Sequence, residues 1–482
     1  MILVIDSHQF LYEIEALCRM FLRGEELKIC DSVDGICKND EYIYTGIFGN
    51  IIKAKVYMGG KELSLEEKSE VDQCRILETL VYRILSEITG IVPKWGTLTG
   101  IRPVKTALSL NDRGLDFSEI REKFKTERLV SDEKLDLLIE TAKHEVEIRK
   151  LSKPESVSLY ISIPFCPSRC SYCSFISNSI EKTGKLIPGY IDILCGELRD
   201  TAKLIDELGL RLESIYMGGG TPTVLTAEQL DTVLSTVRTN FNMKTVREIT
   251  VEAGRPDTIT AEKLEVLKKN GVGRISINPQ TMNDDVLVNI GRKHTAKDII
   301  DAYDLARNFD FDSINMDLIS GLPGDDLEKF KYTVNSVIDL DPENITLHTL
   351  TVKHGANMAP DAKILLAEKV DKMNEYAFER FSKSGYFPYY LYRQKGTVEN
   401  LENTGFCKEG KEGIYNIFIM DETHTILATG AGGVTKLKAP YSSKIERIFN
   451  FKYPYEYLER FELMSVRKKE VINFYEQYPI KE

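Results

Sequence analysis

Cys166, Cys170 and Cys173 fall at C-x3-C-x2-C spacing in Cys166-Pro-Ser-Arg-Cys170-Ser-Tyr-Cys173. Three thiols this close together can hold a metal centre. A cubane iron–sulfur cluster has four irons, each wanting a thiolate. Three cysteines satisfy three irons and leave the fourth open for a ligand, and an open position separates a reactive metal site from a structural one. A structural zinc site would want a fourth Cys or His nearby, but the next candidates are Cys195 and His294. A disulfide framework belongs to short secreted domains, whereas nine cysteines are a small share of 482 residues. The other six (Cys18, Cys30, Cys37, Cys74, Cys195 and Cys407) are scattered and read as buried apolar thiols.

The elements that must position this loop alternate from about Ser158 to Lys353. Apolar, β-rich runs are predicted at Leu159–Phe165, Ser214–Met217, Glu248–Glu252, Arg274–Asn278, Ser313–Ile319 and Asn344–Thr351. Helical periodicity fills the gaps at Ile187–Leu208, Ala227–Phe241, Ala261–Asn270, Thr295–Asn308 and Leu327–Ile338. Strands separated by single helices pair in parallel. The fold class is therefore α/β, a partial (β/α)6 TIM-type barrel, in which chemistry sits where strands end. The unusual residues fall there. The cysteine loop follows the first strand and Gly218-Gly-Gly-Thr-Pro-Thr223 the second. Glu252 ends the third, Gln280 follows the fourth, and Asp317 lies near the end of the fifth. A lone Gly-Gly-Gly is usually a tight turn and a lone Glu a solvated charge; the shared rim makes them a site. Arg292, beside Lys293, would on its own pass for a surface arginine.

The stretch 158–353 resembles the oxygen-independent coproporphyrinogen III oxidase family of radical S-adenosylmethionine proteins. Its matches are Tyr160-Ile-Ser-Ile-Pro-Phe-Cys166, Cys170-Ser-Tyr-Cys173, Gly218-Gly-Gly-Thr-Pro-Thr223, Glu252, Gln280, Gly291-Arg292-Lys-His294 and Asp317-Leu-Ile-Ser-Gly-Leu-Pro-Gly324. The flanks, with Leu98-Thr-Gly-Ile-Arg-Pro-Val-Lys105, Tyr392-Arg-Gln-Lys395, Glu402-Asn-Thr-Gly-Phe406, Tyr415-Asn416 and Gly430-Ala-Gly-Gly433, look like its long HemZ-type subgroup. The resemblance implies a 4Fe–4S cluster on Cys166, Cys170 and Cys173, with S-adenosylmethionine on the open iron. It implies cofactor contacts from Tyr160, Gly219, Gly220, Thr221, Glu252, Gln280, Arg292 and Asp317. Glu252 would take the ammonium, Arg292 the carboxylate through a bidentate fork, and Asp317 and Gln280 the ribose hydroxyls. Tyr160 is a candidate neighbour of the sulfonium. Tyr172 falls at a position lining a second S-adenosylmethionine site, and Thr351 and Val434 align loosely with further contacts.

The implied reaction is oxidative decarboxylation of two propionates of coproporphyrinogen III, giving protoporphyrinogen IX in haem biosynthesis. Acid–base catalysis moves protons, not hydrogen atoms, so the cofactor must supply the hard step through a 5′-deoxyadenosyl radical. An electron donor such as flavodoxin or ferredoxin is implied as a partner. One position departs from the pattern. The oxidase branch has a fourth cysteine two residues after the third, and here Phe175 stands there, as in the haem-chaperone branch. Because the cofactor residues survive in both branches, a haem carrier and a radical enzyme for another substrate are the alternatives.

Lys+Arg 63 against Asp+Glu 74 leaves a net charge of -11, unlike the basic surface of a nucleic-acid protein. Met1-Ile-Leu-Val-Ile-Asp-Ser-His shows no basic region followed by a long apolar stretch and cleavage site, and no apolar run approaches the ~20 residues that span a bilayer. A cytoplasmic location, where thiols stay reduced, is the expectation. Residues 1–150 read as a separate α/β domain plus helical connector. Its predicted strands are Met1–Ile5, Glu41–Phe48 and Ile51–Met58, and its helices Phe10–Arg23 and Glu66–Thr89. The radical core covers 151–355. An α+β region covers 356–482, opening on a helix at Asp361–Ser384. A substrate rich in carboxylates would want cations at the barrel mouth. Arg102, Lys105, Arg393, Lys395 and Lys436 are the candidates.

Overall fold

The computed structural model describes the chain except residues 23–24, 34–36, 38–39, 175–176, 352–366, 395–399 and 482. Phe175, Lys395 and the start of the helix expected from Asp361 lie outside the described residues. The chain divides into two compact units, Met1–Ala142 with Arg393–Lys395, and Lys143–Tyr392 with Gly396–Glu482.

In the first unit the strands are β1 (Ile2–Asp6), β2 (Lys28–Cys30), β3 (Tyr42–Phe48), β4 (Ile51–Met58) and β5 (Lys61–Lys68), in sheet order β2-β1-β3-β4-β5. Helices α1 (Leu11–Phe21) and α2 (Gln73–Thr89) cover one face, burying Leu3, Ile43, Ile52, Ala54 and Val56 against Ile14, Leu17, Leu77 and Val81. The helix expected from Glu66 begins only at Gln73. Residues 66–68 belong instead to β5, whose Lys-Glu-Leu-Ser-Leu-Glu-Glu-Lys is a charged edge strand paired with β4. Helices α3 (Pro103–Asn111), α4 (Phe117–Arg128) and α5 (Asp132–Arg149) follow.

The second unit is built on β6 (Ser156–Ile163), β9 (Arg211–Gly219), β10 (Glu248–Glu252), β11 (Arg274–Ser276), β12 (Ser313–Ser320) and β13 (Asn344–Thr349). All six are parallel neighbours. The connections carry α7 (Ile187–Glu207), α8 (Ala227–Asn240), α9 (Ala261–Lys269), α11 (Ala296–Arg307) and α12 (Leu327–Leu340). The short pieces β7 (Phe165–Cys166), β8 (Asn178–Ser179), α6 (Ile180–Thr183) and α10 (Asp284–Asn289) sit in the loops. Local sequence starts the helices cleanly. Thr226 and Thr295 cap α8 and α11 in reciprocal boxes with Gln229 and Asp298, and Asp326 caps α12.

Strand alternation separates the two faces. Leu159, Ile161, Ile215, Met217, Val251, Ile275, Ile314, Met316, Ile345 and Leu347 are buried in one core with the helices. Their neighbours Tyr160, Tyr216, Thr250, Glu252, Ser276, Asn315, Asp317, Thr346 and His348 take the opposite, inner face. The period of two thus gives a greasy back and a polar interior.

The C-terminal segment joins the same sheet. It adds β14 (Phe387–Arg393), β15 (Glu402–Cys407), β16 (Thr425–Thr429), β17 (Val434–Lys438) and β18 (Ile445–Phe449). The sheet order is β14-β15-β13-β12-β11-β10-β9-β6-β16-β17-β18. β15 runs antiparallel to β13, while β16 lies parallel to β6 as a further inward strand. Helices α13 (Ala367–Lys383), α14 (Ile414–Asp421), α15 (Pro454–Glu459) and α16 (Met464–Gln477) complete the unit.

Candidate active site

The cysteine loop leaves β6 and is pinned at both ends. Cys166 in β7 pairs with Ser179 in β8, and the Ser171 N–H donates to Ile290 O at 3.0 Å. Cys170 is buried, Cys166 and Cys173 are half-buried, and none of the three is in a disulfide. The Thr221 hydroxyl donates to Cys166 Sγ at 3.5 Å, and Arg255 Nη1 approaches Cys170 Sγ at 3.8 Å. Among the described residues no three His, Cys, Asp or Glu side chains are gathered to hold a single metal ion. A cubane takes one thiolate per iron, so it does not need the three sulfurs to meet at one point. Three reduced thiols on one loop, with hydroxyl and guanidinium donors aimed at the sulfurs, fit such a cluster.

Beside the loop lies the glycine turn at the end of β9. Its backbone is stitched to the cysteine strand, with Gly220 N–H donating to Ile163 O at 2.8 Å and Thr221 N–H to Phe165 O at 2.7 Å. A Cβ on Gly220 would lie 2.4 Å from Phe165 O, and one on Gly218 would lie 2.9 Å from the Glu252 carboxyl. Only glycine permits this approach, which packs the turn against the cysteine strand and the Glu252 carboxyl.

Glu252 lies against this turn. Burial pushes its carboxyl up to about 7, against a hydrogen bond from the Tyr216 hydroxyl at 2.7 Å. Among the described residues no Lys or Arg is paired with it, so an ammonium would find a waiting partner. Across the inner face, burial also works against Asp317. There the donors prevail: His348, with Nε2 3.8 Å away, Asn315 Nδ2 at 2.7 Å, and Thr346 hold its carboxyl below the usual value. Gln280 has φ +66° and is held on β12 by main-chain bonds to Asp317 and from Ile319. Arg292 is 7% exposed. Its guanidinium donates to Asn278 O at 2.5 Å and to the Tyr172 hydroxyl at 3.2 Å, and its buried Nε has no partner. Arg292 is therefore a buried site arginine rather than a surface one. Its Nε is the donor left over for an anionic group.

The ring of Tyr160 continues this wall, stacked 6.2 Å from Tyr216 and 6.3 Å from Tyr415. Thr351 lies just beyond β13, its hydroxyl donating to Thr349 O at 3.2 Å. Val434 opens β17 opposite Phe449, with 37% of its surface exposed. The expected substrate cations are differently occupied. Arg393 is buried in the first unit, donating to Leu98 O and lying over Trp95. Lys436 donates to Ile419 O and pairs with Glu422 at 3.4 Å. Arg102 directly precedes α3 and Lys105 lies in its first turn, both in the first unit.

Sequence reasoning missed Tyr216, Arg255, His348 and the role of Tyr415. The first and third carry a readable signal, since each alternates with buried apolar neighbours on a strand whose inner positions are polar. Tyr415 carries none. It arrives on α14, whose first N–H groups, Ile414 and Tyr415, donate to buried Glu248 at 2.8 and 3.1 Å. Arg274 and Asn344 hold the preceding residues through Lys411 O. This seats Tyr415 4.5 Å from Tyr216, ring on ring. The Gly430-Ala-Gly-Gly433 turn is likewise fastened to β6. Ser162 Oγ donates to Ala431 O at 2.7 Å, and the Gly430 N–H donates to buried Glu197 at 2.8 Å.

Fold and site together define a radical S-adenosylmethionine protein, and the family profile described as Radical SAM superfamily matches residues 160–337. A Bacillus subtilis (strain 168) protein described as oxygen-independent coproporphyrinogen-III oxidase-like protein HemZ is 40% identical over 405 residues, covering 83% of this chain and 81% of that one. The chain belongs to this family of HemZ- and HemN-type radical proteins. The haem chaperone HemW of the same organism is 31% identical over 283 residues, covering 57% of this chain and 70% of its own. Escherichia coli HemN, a coproporphyrinogen III oxidase described as a radical SAM enzyme, superposes with a TM-score of 0.50 at 22% identity, covering 66% of this chain and 72% of HemN, and supports the fold.

Proposed function

We propose that this protein carries out the oxygen-independent oxidative decarboxylation of coproporphyrinogen III to protoporphyrinogen IX. The observation that carries the radical chemistry is the meeting, at one rim, of a three-thiol loop, a glycine turn and a buried Glu252 that, among the described residues, has no Lys or Arg paired with it. Similarity to HemZ over most of the chain supports the porphyrinogen substrate. When bound, the cluster and S-adenosylmethionine supply the electron and the 5′-deoxyadenosyl radical that removes a propionate hydrogen atom. The chain's own residues do the rest. Cys166, Cys170 and Cys173 hold the cluster, Glu252 accepts from the cofactor's ammonium, and Arg292 donates to its carboxylate. Asp317 and Gln280 take the ribose, the backbone at Gly219, Gly220 and Thr221 permits close contact, and Tyr160 flanks the sulfonium. Tyr172, Thr351 and Val434 are assigned to outer contacts, Tyr172 toward a second S-adenosylmethionine. The polar inner face orients the substrate while the packed outer face keeps water away. A cytoplasmic flavodoxin or ferredoxin would deliver the electron, and a one-electron acceptor would take up the electron left on the substrate as each carbon dioxide leaves. The division into 1–150, 151–355 and 356–482 assigns the chemistry to the middle segment.

A second reading, haem handling, is favoured by Phe175 in place of a fourth cysteine and by the similarity to HemW. Anaerobic incubation of the reconstituted protein with S-adenosylmethionine, reductant and coproporphyrinogen III separates the two. Loss of two carbon dioxide units coupled to 5′-deoxyadenosine is expected. Stoichiometric haem binding without conversion would overturn the oxidase reading in favour of haem handling.

A further inference from the structure

Arg255 lies outside every role assigned so far, yet it is 3% exposed and directed at a cluster cysteine. It follows β10, three residues after Glu252. A bidentate pair with Asp257, at 3.0 and 3.2 Å, fixes its guanidinium plane. The remaining nitrogen, Nη1, reaches Ser168 Oγ at 3.2 Å and Cys170 Sγ at 3.8 Å. His294, buried behind the pair with Nδ1 4.0 Å from Asp257, is held neutral because burial and the two arginines push it down to about 4. Arg255 is thus a permanent cation at this cysteine, since a guanidinium does not lose its proton.

Resting on the cluster reading above, we infer that Arg255 is a positioning residue that sets the reduction potential of the cluster through its hydrogen bond to the Cys170 sulfur. Reduction adds one negative charge to a cluster, and a cation donating to a ligating sulfur in a dry site stabilises the reduced form and raises the potential. Asp257 both orients the guanidinium and partly offsets its charge, so the pair acts as a graded control. Nothing in the arrangement asks Arg255 to touch substrate.

The test is an EPR-monitored redox titration of the reconstituted full-length protein and three variants, with iron content measured alongside. Arg255→Met should make reduction at least about tenfold less favourable, a fall of about 59 mV for one electron. Arg255→Lys should fall less, because the charge stays while the fork is lost. Asp257→Asn should move the potential the other way. Shifts of opposite sign from Arg255→Met and Asp257→Asn, at full iron content, would not arise from general loosening of the loop. An unchanged potential in Arg255→Met overturns the inference. If that variant fails to assemble a cluster, unchanged potentials in both Arg255→Lys and Asp257→Asn overturn it instead. Failure of the unmodified protein to form any cluster would sink the functional reading itself.

Discussion

The Tyr216 hydroxyl donates to Glu252 Oε1 at 2.7 Å, and this bond opposes the burial that pushes the Glu252 carboxyl up to about 7. An ammonium pairs with the carboxylate form only. S-Adenosylmethionine affinity should therefore rise as pH increases through about 7 and level off above, with up to about tenfold lost per unit below. Tyr216→Phe removes a bond that lowers the value, so its inflection should move to higher pH. Calorimetric titrations across this range check both, and a flat profile for the unmodified protein would remove Glu252 as the ammonium partner.

Cys166→Ala, Cys170→Ala and Cys173→Ala should each abolish the brown visible absorption of the reconstituted protein and all cleavage of S-adenosylmethionine. Three thiolates are the minimum that leaves one iron open. An active single variant would eliminate the cluster assignment.

Arg292→Ala should keep iron yet weaken S-adenosylmethionine binding by roughly tenfold to a hundredfold, the weight of charge-assisted hydrogen bonds worth ~1.5–3 kcal/mol. Arg292→Lys should recover only part, because a point charge cannot replace the fork. Unchanged affinity in Arg292→Ala would leave the arginine a purely structural role beneath Asn278 and Tyr172.

Gly220→Ala places a methyl 2.4 Å from the Phe165 carbonyl, so the cysteine strand must shift. Overpacking of this kind costs about 1–3 kcal/mol. The expected result is a folded protein with a lowered melting temperature and poor cluster retention, read by calorimetry and iron analysis. Full retention would show that the loop adapts freely.

His424 is buried, bonded to Ser152 Oγ at 2.7 Å and Ser158 Oγ at 2.8 Å, and burial pushes it down to about 3. Its folded value lies below that of the unfolded chain, so the unfolded state binds the extra proton. Stability present above about pH 6.5 should fall as pH drops, by up to ~1.4 kcal/mol per unit. His424→Asn, though weaker at neutral pH, should lose stability less steeply on acidification. Identical slopes in thermal scans would place the acid sensitivity elsewhere.

Much of this site was written into local stretches of chain. Cysteine spacing on one loop, glycines at one turn and the alternation of apolar runs are all properties of a few consecutive residues. They placed Cys166, Gly220, Glu252 and Asp317 at strand ends because a strand, a helix and a cap each declare themselves within a dozen residues. Arg292 was harder, since a lone arginine beside Lys293 looks solvent-facing until the fold buries it under Asn278 and Tyr172. What folding alone decided depends on pairings between distant residues. Glu248 seats α14 and so brings Tyr415 to Tyr216 from 199 residues away (415 − 216). Asp257 turns Arg255 toward Cys170, and Ser162 fastens the turn at Ala431. Such contacts follow from sheet order and register, which bring together side chains whose own neighbours in sequence say nothing of their partners. The same packing tunes Glu252: its type is visible in the sequence, but its shift to about 7 comes from burial in the assembled fold.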